Sequence, residues 1–167
     1  WTIPANIAVA VDEKIDYSLV KLNNHYYWVA KDAVKTIFIN KKFKIIKNVK
    51  GKELVGLKYA GPYDHLPAVA KVKKSHPDSF HTVIATDSLI MPISTEEGTG
   101  LVHTAVSAGS EDYQLGKKLN LPMIPVIADN ADYLSGLGDL TGKNAKKNPR
   151  LILDYLVEED KKSTVHW

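Results

Sequence analysis

Three residues combine types and spacing that could do chemistry: His103 and Thr104 at the end of an apolar segment, and Asp112 at the start of the helical signal that follows. A carboxylate in a first helical turn is favoured in its ionised form by the helix dipole, so Asp112 would stay anionic and could hold a cation such as an α-ammonium group. The plainer reading, that Asp112 only complements the dipole and His103 is a core histidine, is equally open at this level. Between them, Ala105 Val106 Ser107 Ala108 Gly109 forms a degenerate nucleophile elbow, with alanine in place of the first glycine. A serine hydrolase built on Ser107 is therefore an alternative, though elbow triads draw their histidine and acid from distant later segments. His76 and His81 flank a Pro77 Asp78 turn with no third ligand at helical spacing, and read as solvated loop histidines rather than a metal pair.

The glycines argue against a nucleotide site. Gly98 Thr99 Gly100 lacks a third glycine and leads into a strand, whereas a phosphate loop opens a helix. Gly136, Gly138 and Gly142 have the wrong spacing, and no Gly-Lys-Ser or Gly-Lys-Thr triplet exists.

The elements that must position these residues follow from local signals. Residues 1–11 read as extended chain, and residues 15–20 and 26–29, separated by Asn23 Asn24, read as a hairpin. Residues 31–38 suggest a short helix, although 37–39 could equally be strand, and 43–49 a half-exposed, lysine-rich strand, after which residues 51–80 read as loop. Strands are expected at 81–85, 101–106 and 122–127. Ser110 as N-cap, Glu111 and Asp112 in the first turn, and Lys117 and Lys118 in the last predict a helix to about Leu119. Residues 128–148 read as a long loop, and Asn148 with Pro149 opens a final helix whose apolar face is Leu151, Ile152, Tyr155 and Leu156. The sum is a β-rich α+β domain.

Composition narrows the classes further. The 167 residues are 44% hydrophobic and 25% charged, as in an ordinary single globular domain. No cysteine is present, which excludes disulfides, thiolate metal sites and a cysteine nucleophile. No apolar run approaches a membrane span, so no membrane partner and a cytoplasmic setting are expected. The formal charge is +3, and Arg150 is the one arginine, which argues against sequence-specific reading of duplex DNA. A start at Trp1, inside an extended-looking apolar segment, leads us to expect a piece of a longer protein.

Several segments resemble isoleucyl-tRNA synthetase, in order along nearly the whole chain. They are Trp1 Thr2 Ile3 Pro4 Ala5 Asn6, Gly51 Lys52 Glu53 Leu54 with Gly56 Leu57 Lys58 Tyr59, Glu97 Gly98 Thr99 Gly100 Leu101 Val102 His103 Thr104 Ala105, and Asp112 Tyr113 with Gly116 Lys117 Lys118. The resemblance is to the editing domain inserted in that enzyme, connective peptide 1. It implies that residues 1–167 are one such domain from a larger class I synthetase, with the closed β-barrel-like fold and peripheral helices of the valyl, isoleucyl and leucyl enzymes. It implies hydrolysis of valine wrongly esterified to the isoleucine tRNA, by water, without metal or cofactor; ATP belongs to the synthetic domain, whose His-Ile-Gly-His and Lys-Met-Ser-Lys-Ser motifs are absent here. By resemblance Asp112 matches the aspartate that anchors the α-ammonium group, His103 walls the side-chain pocket, and Thr2 and Asn6 belong to the edge beside the scissile ester. Trp1, Gly98, Thr99, Gly100 and Thr104 join His103 as substrate-binding residues. The implied partners are the tRNA 3' end carrying valine, small amino-acid esters and the remainder of the parent synthetase in cis. An aminoacyl-adenosine or tRNA-end binding module without turnover is the alternative. The chain departs from the family at Val106 and Ala108, where Thr-Ala-Pro usually follows the histidine.

Overall fold

A computed structural model describes residues 1–159. It comprises two compact units, one of Ala8–Lys58 with Thr82–Thr104, the other of Trp1–Ile7, Tyr59–His81 and the chain from Ala105 onward.

The first unit holds six strands: β1 (Ala8–Val11), β2 (Asp16–Leu22), β3 (His25–Ala30), β4 (Phe43–Lys50), β5 (Thr82–Ala85) and β6 (Val102–Thr104). One sheet has the order β5-β1-β6, with β5 parallel and β6 antiparallel to β1. A central strand is covered on both faces, and the small apolar run Ala8 Val9 Ala10 Val11 suits that place, with Ala8, Ala10 and Val11 fully buried. The second sheet, β3-β2-β4, is antiparallel and carries a bulge at Leu19/Val20. Its hairpin closes through Asn23, whose φ of 53° lies in the left-handed region that asparagine tolerates. β4 is an edge strand, and Lys44, Lys47 and Lys50 along it oppose pairing with another chain. Val11, Tyr17, Ala30, Ala33 and Leu54 form one core cluster. Val20, Val29, Val34 and Phe38 form another, with Phe38 against Tyr27 and Phe43. The expected helix at 31–38 is a 3-10 turn, Lys31–Ala33, followed by the single α-turn α1 (Val34–Ile37).

The second unit carries α2 (Pro67–Ser75), α3 (Ser110–Lys118) and α4 (Leu151–Asp154), the last running into a π-turn, Tyr155–Glu159. Helix α2 falls in the stretch read as loop. Its signals were local all the same: Pro67 sits in the first turn, and Lys73 and Lys74 in the last. Four further expectations need correction. The extended reading of residues 1–11 fails at Ile3–Ala5, a 3-10 turn closed by the Ala5 N–H to the Thr2 carbonyl, because Pro4 pre-sets its φ for a turn. Residues 122–127 form no strand; they are joined to the rest by single bonds such as the Leu134 N–H to the Val126 carbonyl, although Ile124 and Val126 are buried. The final helix begins at Leu151 with Arg150 as its cap, not at Pro149 behind Asn148. The N-cap of α3 is Gly109, and Ser110 is its first helical residue.

The architecture is α+β, as expected. Strand pairing among the described residues gives the two sheets without a ladder closing them into a barrel. No helix among the described residues is long and apolar enough to cross a membrane.

Candidate functional site

In the second unit Asp112 occupies the first turn of α3, half-buried, with the positive end of the helix dipole beneath it. Its Oδ2 accepts the Ala105 N–H at 3.2 Å, so the carboxylate reaches back over the loop that enters the helix. Gly109 makes this approach possible: a Cβ there would sit 2.9 Å from the same oxygen. The loop is pinned by the Ala108 N–H to the Ala105 carbonyl at 2.8 Å. Val106, one of the two departures from the family pattern, is buried against Gly116 of α3, where a Cβ would meet its methyl groups at 2.6 Å. The loop therefore rests on the helix through a valine-to-glycine contact. The carboxylate is oriented, ionisable and reachable, the set of properties a cation anchor needs.

Ser107 does not fit a hydrolase. Its hydroxyl donates to the Ile124 carbonyl at 2.7 Å, an acceptor that cannot take up the proton as a general base would. Ser107 instead ties the pre-helix loop to the chain around Ile124. A recess of about 520 Å³ lies beside this loop, with Val106, Gly109, Tyr113 and Met123 on its walls. Tyr113 and Met123 are both about half exposed, at 47% and 48%.

The N-terminal edge belongs to the same unit. Trp1 is exposed and Thr2 half-buried at the start of the 3-10 turn. Asn6 is held twice: the Tyr59 hydroxyl donates to its Oδ1 in a short hydrogen bond, and a ring nitrogen of His81 contacts its backbone carbonyl at 3.2 Å. Burial pushes the Tyr59 phenol far above its ordinary range, which keeps it a neutral donor. His81 is only 4% exposed and paired with Asp64 at 3.1 Å, so the reading of His81 as a solvated loop histidine is overturned. The fold brings Tyr59, Asp64 and Phe80 around it, and no local pattern near Pro77 signals that enclosure.

In the first unit, His103 lies half-buried on β6, opposite Val9, and Thr104, fully buried, pairs with Ala8. Period-two alternation puts His103 on the face opposite Val102 and Thr104. The turn before β6 is clamped from two sides. The Ala30 N–H donates to the Thr99 carbonyl at 2.7 Å, and the buried Tyr17 hydroxyl donates to the Gly100 carbonyl at 2.7 Å. Gly100, with φ 72°, backs onto Ala30 so closely that a Cβ would lie 2.5 Å from that methyl. Gly98, with φ 74°, is at the open tip. Gly100 and Tyr17 thus hold the turn while Gly98 and Thr99 face outward. Among the described residues no three His, Asp or Glu side chains converge as a metal would require.

No family model matches the chain. Isoleucine–tRNA ligase of Methanocaldococcus jannaschii is 38% identical over 148 residues, or 81% of this chain. The same ligase of Pyrococcus horikoshii is 34% identical over 166 residues, 95% of the chain, and that of Saccharolobus islandicus 30% over 160 residues, 93% of it. This chain matches a segment of isoleucine–tRNA ligase. It spans only 14 to 15% of the length of those ligases. A solved structure described as GlLeuRS-CP1 superposes on 99% of this chain and 79% of its own length, with a TM-score of 0.68 at 14% identity. That likeness is one of fold. Sequence reasoning missed the group of Tyr59, Asp64 and His81, because it is assembled from residues whose partners lie up to 75 positions away.

Proposed function

We propose that the chain is one editing domain of isoleucine–tRNA ligase and that it hydrolyses the ester of valine mischarged on the isoleucine tRNA. The observation that carries this reading is a match to isoleucine–tRNA ligases along 93% of the chain, on an editing-domain fold. The physical need is plain: a hydrophobic synthetic pocket cannot strongly reject a side chain one methylene smaller, and isoleucyl-tRNA synthetase is the standard illustration of that limit. A second site that admits the smaller group and excludes the larger one removes the error.

In this mechanism the Asp112 carboxylate, oriented by the Ala105 amide, accepts the α-ammonium group of the misattached valine. His103 walls the side-chain pocket against the extra methylene of isoleucine. Thr2 and Asn6 line the ester end with Trp1, and the turn of Gly98, Thr99 and Gly100 completes the substrate contacts; Thr104, expected among them, is fully buried and supports β6 instead. A water oxygen attacks the ester carbonyl carbon, and hydroxyl and backbone N–H donors stabilise the oxyanion that forms. The bond from that carbon to the ribose oxygen then breaks, the proton passes to the ribose oxygen, and free valine leaves with the intact RNA end. The reading includes the barrel-like closure of the family's domain, the tRNA 3' end and the parent synthetase in cis as partners, a cytoplasmic setting, and no metal or cofactor.

The test is deacylation of RNA minihelices esterified with valine or isoleucine, by the purified chain. Faster release of valine than of isoleucine, above the buffer rate, is expected. Equal release of both, or none above buffer, refutes the reading; binding of the valyl end without release leaves the binding-module alternative.

A further inference from the structure

Asp64 and Tyr59, both half-buried, surround the buried His81 in a polar assembly of the second unit that the mechanism above does not use, and it ends on Asn6. Asp64 Oδ1 lies 3.1 Å from His81 Nδ1, and accepts the Gly61 N–H at 3.2 Å. Its Oδ2 receives Lys73 Nζ at 3.3 Å. On the other side of the ring, His81 Nε2 is 3.2 Å from the Asn6 carbonyl oxygen. Both neighbours of the imidazole are acceptors, so a ring protonated on both nitrogens would serve each side. The ring is held flat between Tyr59, with centroids 4.6 Å apart, and Phe80, at 3.9 Å. Gly61 lies against its edge, where a Cβ would be 2.7 Å from Cε1.

The backbone is held as firmly as the ring. His81 has a φ of 46°, a left-handed conformation that a bulky side chain seldom adopts, and its N–H donates to the Ile7 carbonyl while its own carbonyl accepts from Tyr59. Backbone strain of this kind persists where surrounding contacts over-determine it, and such places cluster at functional sites. Asn6 is the shared end point: Tyr59 grips its side-chain oxygen and His81 its main-chain oxygen. With Oδ1 accepting from Tyr59, the amide of Asn6 has a fixed orientation and its NH₂ forms the donor edge.

We infer that Asp64 and His81 are positioning residues that act through Asn6, fixing the donor edge of its amide for the ester end of the substrate. The inference rests on the editing reading above. It assigns neither Asp64 nor His81 a contact with substrate.

Two measurements on the whole chain test it. The first is the ¹⁵N spectrum of the His81 ring at neutral pH, where both nitrogens should be protonated; a neutral tautomer overturns the charged couple. The second is an NMR titration of wild type, His81→Asn and Asp64→Asn with an amide-linked valyl-adenosine analogue. Asparagine tolerates the left-handed backbone at position 81, and Asp64→Asn removes charge with little change of shape, so one variant covers for a folding failure in the other. In wild type the analogue should shift both the Asp112 and the Asn6 side-chain resonances. In the variants the Asp112 shift should persist, the Asn6 amide shift should vanish, and affinity should fall roughly tenfold. An unchanged Asn6 response in folded variants overturns the positioning role and leaves the editing reading standing. No response at Asp112 or Asn6 in wild type overturns the editing reading, and this inference with it.

Discussion

Asp112→Asn separates the anchoring role of this carboxylate from its structural one. The substitution keeps an oxygen that can accept the Ala105 N–H, so the loop entering α3 retains its bond. What is lost for the fold is the interaction of a half-buried negative charge with the helix dipole, about 0.3–1 kcal/mol, or a melting temperature lower by roughly 1–4 °C. What is lost for the ligand is a charge-assisted bond to an ammonium group, about 1.5–3 kcal/mol, which corresponds to roughly 10–150-fold in affinity. The assay is calorimetric titration of both proteins with two ligands: the amide-linked valyl-adenosine analogue and its counterpart lacking the α-amine. The coupling between the carboxylate and the amine is read from the resulting cycle. The valyl analogue should bind the variant at least tenfold more weakly, while the counterpart without the amine should bind both proteins alike, within about twofold. Wild-type binding of the valyl analogue should also weaken as pH rises through the ligand amine's range, near about 8. A folded variant that binds the valyl analogue as tightly as wild type refutes the ammonium-anchor assignment. An equal loss for both ligands refutes it too, since the charge would then be acting through the fold.

Other perturbations address the frame. Tyr17→Phe deletes a buried hydroxyl that accepts the Asp12 N–H at 3.1 Å and donates to the Gly100 carbonyl, so denaturant unfolding should show a loss of about 1–3 kcal/mol at unchanged m, and a loss under about 0.5 kcal/mol would contradict the clamp. Ser107→Ala should leave deacylation intact, and wild type should resist covalent labelling by a fluorophosphonate; labelling that disappears in the variant would restore the serine-hydrolase alternative. Asp16 is held below the usual carboxylate range by the Lys50 ammonium, which bonds it at 2.8 Å. A depressed acid contributes stability above its unfolded value and loses it as pH falls through the folded one, so Asp16→Asn should differ from wild type at neutral pH and converge with it in acid, below the lowered folded value. A difference that persists unchanged into that acid range would show that the pair's charge is not responsible.

How far residues can be read before folding depends on how far away their partners are. Helix α3 was legible because its charges complement its own dipole, and the β2–β3 hairpin because Asn23 can take a left-handed turn between two β-branched and aromatic runs. Helix α2 was missed although Pro67 and its two terminal lysines were available, because the glycines around it drew the reading toward loop. Residues 122–127 have strand-like composition, yet a strand exists only where a neighbour offers a ladder, and here buried Ile124 and Val126 meet irregular chain. Of the candidate site, Asp112 was legible in type and position, but its bond to Ala105 was not.

The amino-acid sequence by itself determined what neighbours along the chain decide: the helix that carries Asp112, the hairpin, the absence of thiol chemistry, and the ordered likeness to isoleucine–tRNA ligase. Only the tertiary structure decided that β1 sits between β5 and β6, that Tyr17 holds the Gly100 turn from 83 residues away, and that His81 is buried against Asp64 and Asn6. Those pairings join residues that any local window treats as independent. Their free energy exists only after distant segments have been brought together and water has been excluded from between them.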